Sequence, residues 1–231
     1  MQVPVYNTQG SQVGTLDINE ATLGGELNYA LLKQAYVRYH ANLRQGSART
    51  RNRAQVEGST KKLYKQKGTG NARHGDRKVN LMKGGGHGHS KKRVREDYRK
   101  DMPKKMRRKA NRNALLAKLI DNEVRVIDRL ELGQPKTRDL VALLRAVRAE
   151  TKTLVAAPVE QTNLRLAARN VEGVTLTKPD SLNAFDLLNH RYLVIDRGEL
   201  ESWLAGPSSQ TGKDAKINPL GAAPAAAGTE A

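Results

Sequence analysis

Basic side chains crowd one internal stretch of this 231-residue chain. Between Arg44 and Arg112 stand 24 Lys and Arg against five Asp and Glu, a net of +19, whereas the whole chain carries +18. The remainder is almost neutral, with 17 basic and 18 acidic residues. A segment of this kind suits a polyanion, because each phosphate met by Lys or Arg releases condensed counterions. The stretch has two textures. From Ser47 to Lys78, the cations Arg49, Arg51, Arg53, Lys61, Lys62, Lys65, Lys67, Arg73, Arg77 and Lys78 alternate with glycines and small polar residues. Glycine lets backbone amides approach an irregular phosphate surface closely. From Lys91 to Arg112 the charge is denser and runs into a predicted helix. Pro103 suits a helix start, and Lys104, Lys105, Arg107 and Arg108 fill the first turns. Tyr64 and His74 offer rings that can stack on unpaired bases.

Other chemistries find little support. Gly68-Thr69-Gly70 is a G-x-G, but position 73 is Arg and no strand-to-helix context surrounds it, so the dinucleotide fingerprint is incomplete. Neither a P-loop nor a G-x-S-x-G elbow is present. His87 and His89 flank Gly88 among cations, a poor setting for a metal ion, and read as polar loop residues on RNA. His40 and His190 read as ordinary, partly buried histidines, and Glu96–Asp97 as local charge balance. With no Cys, a disulfide framework, a Cys-ligated zinc and a thiol nucleophile are excluded. No catalytic residue, metal or cofactor is expected. No apolar run nears the ~20 residues that cross a bilayer, and MQVPVYNTQG lacks the features of a signal peptide. The expectation is a cytoplasmic protein with no membrane partner.

A charge run is commonly a solvated face or a terminal tail. This one is internal and returns to a neutral body, which argues for binding. Residues 45–103 hold few apolar side chains (Val56, Leu63, Val79, Leu81, Met82, Val94 and Met102), too few to offset the ordering of the backbone. They are predicted to form a long extended basic loop inserted after the first helix. Residues 206–231 form an Ala/Pro/Gly-rich tail, predicted to be disordered. Residues 1–44 and 104–205 remain, 146 in number and enough for one discontinuous globular body.

The body reads as alternating strands and helices. Val3–Tyr6 and Val13–Ile18 are predicted strands around an Asn7–Gly10 turn. A helix from Glu26 to Arg44 places Leu32, Tyr36, Tyr39 and Leu43 on one face. Ala110–Asp121 is helical, with Leu115, Leu116, Leu119 and Ile120 on one face. Val124–Asp128 is a strand, and Thr137 can cap a helix to Glu150 that buries Leu140, Leu143, Leu144 and Val147. Then follow the apolar run Thr153–Pro158, a helix Asn163–Asn170, a strand Val174–Lys178, a helix Ala184–Leu188, a strand Tyr192–Asp196 and a helix Glu199–Leu204. This alternation implies βαβ units, hence an α/β body of three layers with a mainly parallel sheet.

The segments KKLYKQKGTGNARHGDRK, Gly84–Gly86 and MPKKMRRKANRNALLAKL resemble three signatures of the bacterial form of the universal large-subunit ribosomal protein four family. These are a K-x-Q-K-G-T-G-x-A-R-x-G stretch, a glycine triplet, and a P-K-K-x-R-R-x-A lead into a helix. Thr137 after Pro135, Leu166–Asn170 and Asn183–Leu188 extend the likeness from residue 1 to about 205. The chain departs from the pattern at His87-Gly88-His89, where the family carries an apolar or aromatic residue near a Phe-Gly. It departs again at Tyr64, where Trp is common. The resemblance implies a structural constituent of the large ribosomal subunit that binds the large-subunit (23S) rRNA early in assembly. It also implies neighbouring large-subunit proteins as partners. The loop would line part of the peptide exit tunnel, bringing Lys67, Gly68, Thr69, Gly70 and Arg73 near the nascent peptide. Two alternatives stand beside it: an α/β enzyme with a basic insertion acting on RNA, and a free regulatory RNA-binding module.

Overall fold

The computed structural model describes residues 1–92, 98–158 and 160–206. It divides into two compact units, one of Met1–Val37 with Met102 onward and one of Arg38–Asp101. Apart from Gly206, the predicted tail 206–231 lies outside the described residues, as does the pair Glu96–Asp97.

The first unit is built on a six-stranded sheet in the order β2-β1-β3-β6-β4-β5. Its strands are β1 (Gln2–Tyr6), β2 (Gln12–Asp17), β3 (Val124–Ile127), β4 (Thr153–Ala156), β5 (Val174–Thr177) and β6 (Tyr192–Asp196). Only β1 and β2 pair antiparallel, across a turn in which Gly10 N–H donates to Asn7 O at 3.1 Å. All other pairings are parallel. The body is therefore α/β with a mixed, mostly parallel sheet, as the alternation of elements predicts.

Side chains of the central strands alternate between two cores, as the two-residue period of a strand requires. Val124, Val126, Leu154, Ala156, Leu193 and Ile195 enter one core. Ile127, Val155 and Val194 enter the other. The first core is covered by α1 (Glu20–Leu23), α2 (Tyr29–Leu43), α3 (Lys104–Ile120), α6 (Ala184–Asn189) and α7 (Arg197–Ala205). The second is covered by α4 (Thr137–Ala146) and α5 (Thr162–Ala168). Helices on both faces make three layers. A strand buried on both sides is mostly apolar along its length, which explains the runs TLVA and YLVI; in VRVI only Arg125 is polar, and it is half-buried.

Several local expectations are corrected. Leu43 and Ile120 were assigned to buried helix faces but are 70% and 45% exposed, because each ends its helix beyond the surface its neighbours cover. The buried face of α2 is instead Leu31, Leu32 and Ala35. Thr137 does not cap α4; it is the first helical residue, and Lys136 stands at the cap without a side-chain hydrogen bond. His40 is exposed rather than partly buried. His190 is held in the body, its ring nitrogens 2.7 Å from Asp186 O and 2.8 Å from Thr175 Oγ1. The one-turn helix α1 was not foreseen; Asn19 accepts from Ala21 N–H at its start, and Gly24 closes it at φ 114°.

Candidate nucleic-acid interface

Within Arg38–Asp101, residues 44–92 contain no helix or strand, yet hydrogen bonds join the outgoing and returning legs at successive levels. At the base, Asn42 Nδ2–H donates to Lys100 O at 3.1 Å, and Lys100 N–H donates to Asn42 Oδ1 at 2.9 Å. Beside this pair the Arg44 guanidinium lies 3.7 Å from the centre of the Tyr98 ring. Further along, Lys91 N–H donates to Thr50 Oγ1 at 2.7 Å and His87 N–H to Arg51 O at 2.8 Å. Within the returning leg, Gly86 N–H donates to Lys78 O at 3.0 Å.

The glycine triplet acquires a steric explanation here. A Cβ added to Gly86 would lie 2.1 Å from Arg53 N, and one added to Gly85 would lie 1.8 Å from Val79 O. Both obstacles are backbone. Gly86 is buried where the legs cross, so only a residue without a side chain fits.

The tip spans 61–76. Leu63 N–H donates to Gly75 O at 3.0 Å, and the Tyr64 hydroxyl donates to Ala72 O. The Tyr64 ring meets His74 edge-on, with centroids 6.4 Å apart. The two rings proposed for base stacking thus also close the tip on itself. Between them, Gly68 (φ 85°) and Gly70 (φ 68°) turn the chain through left-handed conformations that favour glycine. This turn carries Lys67, Gly68, Thr69 and Gly70, all exposed, and Arg73 follows it in the chain. Lys62 Nζ–H donates to Gln66 Oε1.

Arg49, Arg51, Arg53, Lys61, Lys62, Lys65, Lys67, Arg73 and Arg77 are exposed, and Lys78 is half-buried. Among the described residues the unit holds one ion pair, Arg99 with Asp101 at 3.9 Å. Among its described residues, seventeen Lys and Arg stand against three Asp and Glu, so most of these cations are left to solvent or to a partner.

The body adds the start of α3. Pro103 occupies its cap position (φ −54°, ψ 142°) without a side-chain hydrogen bond, and no acidic residue stands in the first turn. Lys104 and Lys105 are exposed, whereas Arg107 and Arg108 are half-buried. Cations at a helix N-terminus oppose the macrodipole, so this end favours a bound anion. Further along, Arg112 turns inward and is 5% exposed. Burial, then repulsion from Arg108, lowers its pKa from the ordinary value. Lys118 is also buried, ion-paired with Glu123 and donating to Arg191 O at 2.9 Å. Arg112 closes the run of basic residues from Lys104 expected to face phosphate, and its burial corrects that expectation, while Lys118 carries no role in the sequence; their helical spacing on the face of Leu115 and Leu119 is the signal that marks both as inward.

The crevice outside the carboxyl ends of β3 and β6 is where doubly wound sheets bind phosphate ligands. Here it is lined by Asp128, Glu131, Asp196, Glu199 and Glu201, with Arg129 and Arg197. Asp196 already occupies the start of α7, its Oδ1 accepting from Gly198 N–H at 2.9 Å. Carboxylates there repel phosphate. Among the described residues no group of three or more His, Asp or Glu could hold a metal ion, and no helix is long and apolar enough to cross a membrane.

An α/β body interrupted by a cationic unit, with its charge outside the sheet crevice, is the class that the geometry defines. Residues 16–205 match the profile of the Ribosomal protein L4/L1 family. The chain is 42% identical over 195 residues to "Large ribosomal subunit protein uL4" of Dehalococcoides mccartyi, covering 84% of this chain and 92% of that one. It is 40% identical over 198 residues to the protein of the same name from Moorella thermoacetica, covering 85% and 94%. The chain belongs to the ribosomal protein L4/L1 family, a family of structural proteins rather than enzymes.

Proposed function

We propose that this chain is a structural constituent of the large ribosomal subunit, in the cytoplasm. It binds the large-subunit (23S) rRNA early in assembly through Arg38–Asp101 and the start of α3. The observation that carries the reading is the set of exposed cations between Arg49 and Lys105 that have almost no acidic partners of their own among the described residues. Phosphates supply the missing counter-charge, and base stacking and 2′-hydroxyl contacts supply fit to RNA. The tip 61–76 lines part of the peptide exit tunnel, with Lys67, Gly68, Thr69, Gly70 and Arg73 nearest the nascent peptide. Neighbouring large-subunit proteins pack on the body. The family match and the two-leg organisation of the basic unit support this reading.

Sedimentation of the tagged chain from growing cells tests it. Near-stoichiometric presence in large-subunit particles is expected. A free, substoichiometric protein would instead favour a regulatory RNA-binding module.

A further inference from the structure

One cleft in the basic unit gathers two of its cations, Arg53 and Lys92, beside Asn80, His87 and His89. It measures about 610 Å³ and is lined by Arg53, Asn80, His87, His89 and Lys92, with Asn52 in its wall. We infer that this cleft receives a single unpaired nucleotide of the RNA: the base against His87 and His89, its edge read by Asn80, and its phosphate held by Arg53 and Lys92. The inference rests on the RNA-binding reading above and names one contact within it.

The volume lies within the roughly 300–1,000 Å³ of small-molecule sites. The chemistry is that of a nucleotide rather than of a bare anion. Two imidazole rings give flat faces for stacking, one amide gives a paired donor and acceptor, and two cations give the phosphate contact. These groups are available. Among the described residues, the side chains of Arg53, Asn80, His87, His89 and Lys92 make no hydrogen bond or ion pair with one another or with the rest of the chain. Asn52 is already engaged, its Oδ1 accepting from Ala54 and Gln55 N–H at 3.1 Å each, so it shapes the wall.

The floor is pinned. His87 N–H donates to Arg51 O and Gly86 N–H to Lys78 O, and Gly86 is buried at the crossing of the legs. A Cβ on Gly88 would stand 3.0 Å from Asn80 Nδ2, so a glycine here keeps the amide clear. A site formed before binding loses less entropy when the base enters.

The test uses the full-length protein and in vitro transcribed large-subunit rRNA, probed at base edges with dimethyl sulfate and carbodiimide, with affinity measured across a salt series. The comparison is between wild type, Asn80→Leu and the double variant His87→Ala/His89→Ala. All three side chains are exposed, so the fold tolerates their loss. Wild type is expected to shield one unpaired base, or a short run, that both variants leave reactive. Both variants should weaken binding about tenfold, the order expected for one stacked base, and should leave the salt slope unchanged. Steep, salt-dependent binding by wild type with no variant-dependent base overturns the nucleotide site and leaves the RNA-binding reading standing. Failure of wild type to bind the rRNA overturns both.

Discussion

Asn113, buried in the middle of α3, holds Asn28 across 85 residues of sequence: its Oδ1 accepts from Asn28 N–H at 2.7 Å. Its Nδ2–H donates to Glu26 O at 2.6 Å. Asn28 in turn uses its own Oδ1 to accept from Leu31 N–H at 2.9 Å, at the start of α2. The helix that leads out to the basic unit is thus anchored by the helix to which the chain returns. Asn113→Leu leaves a buried amide and a carbonyl unpaired. It should lower stability by about 2–3 kcal/mol, read as a shift of the urea midpoint with little change in m-value.

Gly86→Val places a branched side chain against the Arg53 backbone. The basic unit, not the body, should suffer: forcing the legs apart costs about 1–3 kcal/mol. Proteolysis within 45–92 should therefore quicken about tenfold while the urea curve of the body stays in place. An unchanged cleavage rate would show that the legs do not cross there in solution.

Lys104 and Lys105 are exposed at the start of α3, so replacing both with Ala should remove about two phosphate contacts. The log–log salt slope for rRNA binding should then flatten by about 1.5, at roughly 0.7–0.9 counterion per contact. Thermal stability should hold. Arg107→Ala and Arg108→Ala should cost stability as well as affinity, because their stems are half-buried on the body.

Lys67→Glu reverses a charge beside the left-handed turn of Gly68 and Gly70. If the tip lines the exit tunnel, ribosomes carrying this variant should change in sensitivity to macrolides, which bind there. A photo-crosslinker at position 67 should label tunnel-wall nucleotides or a nascent chain. Labelling confined to surface rRNA would remove the tip from the tunnel.

Glu199 gives a pH test. Burial, followed by repulsion from Asp180, Asp196 and Glu160, raises its pKa above the ordinary carboxylate value. The folded state therefore binds its proton more tightly than the unfolded chain does, and this contribution is lost as pH rises through the folded pKa. Glu199→Gln should melt at a higher temperature than wild type at pH 7. The difference should close as pH falls below about 4.3, the ordinary Glu value.

Much of this protein is legible in its residue types alone. Charge adds up whatever the fold, so the +19 between Arg44 and Arg112 marks the cationic segment without any structure. The runs at Val124, Thr153 and Tyr192 declare buried strands because a strand covered on both faces is apolar at most of its positions. Long-range pairing is another matter. That Val124 pairs with Leu193, and that β6 rather than β4 lies beside β3, follows from how whole elements pack and has no local signal. The same holds for Leu43 and Ile120, where helical period suggests burial but no neighbour arrives to cover them. In the basic unit, composition identifies the glycines but not their purpose. Only the crossing of the two legs shows that Gly86 is required by the Arg53 backbone. That crossing also brings Arg53, Asn80 and His87 to one cleft across more than thirty residues of chain.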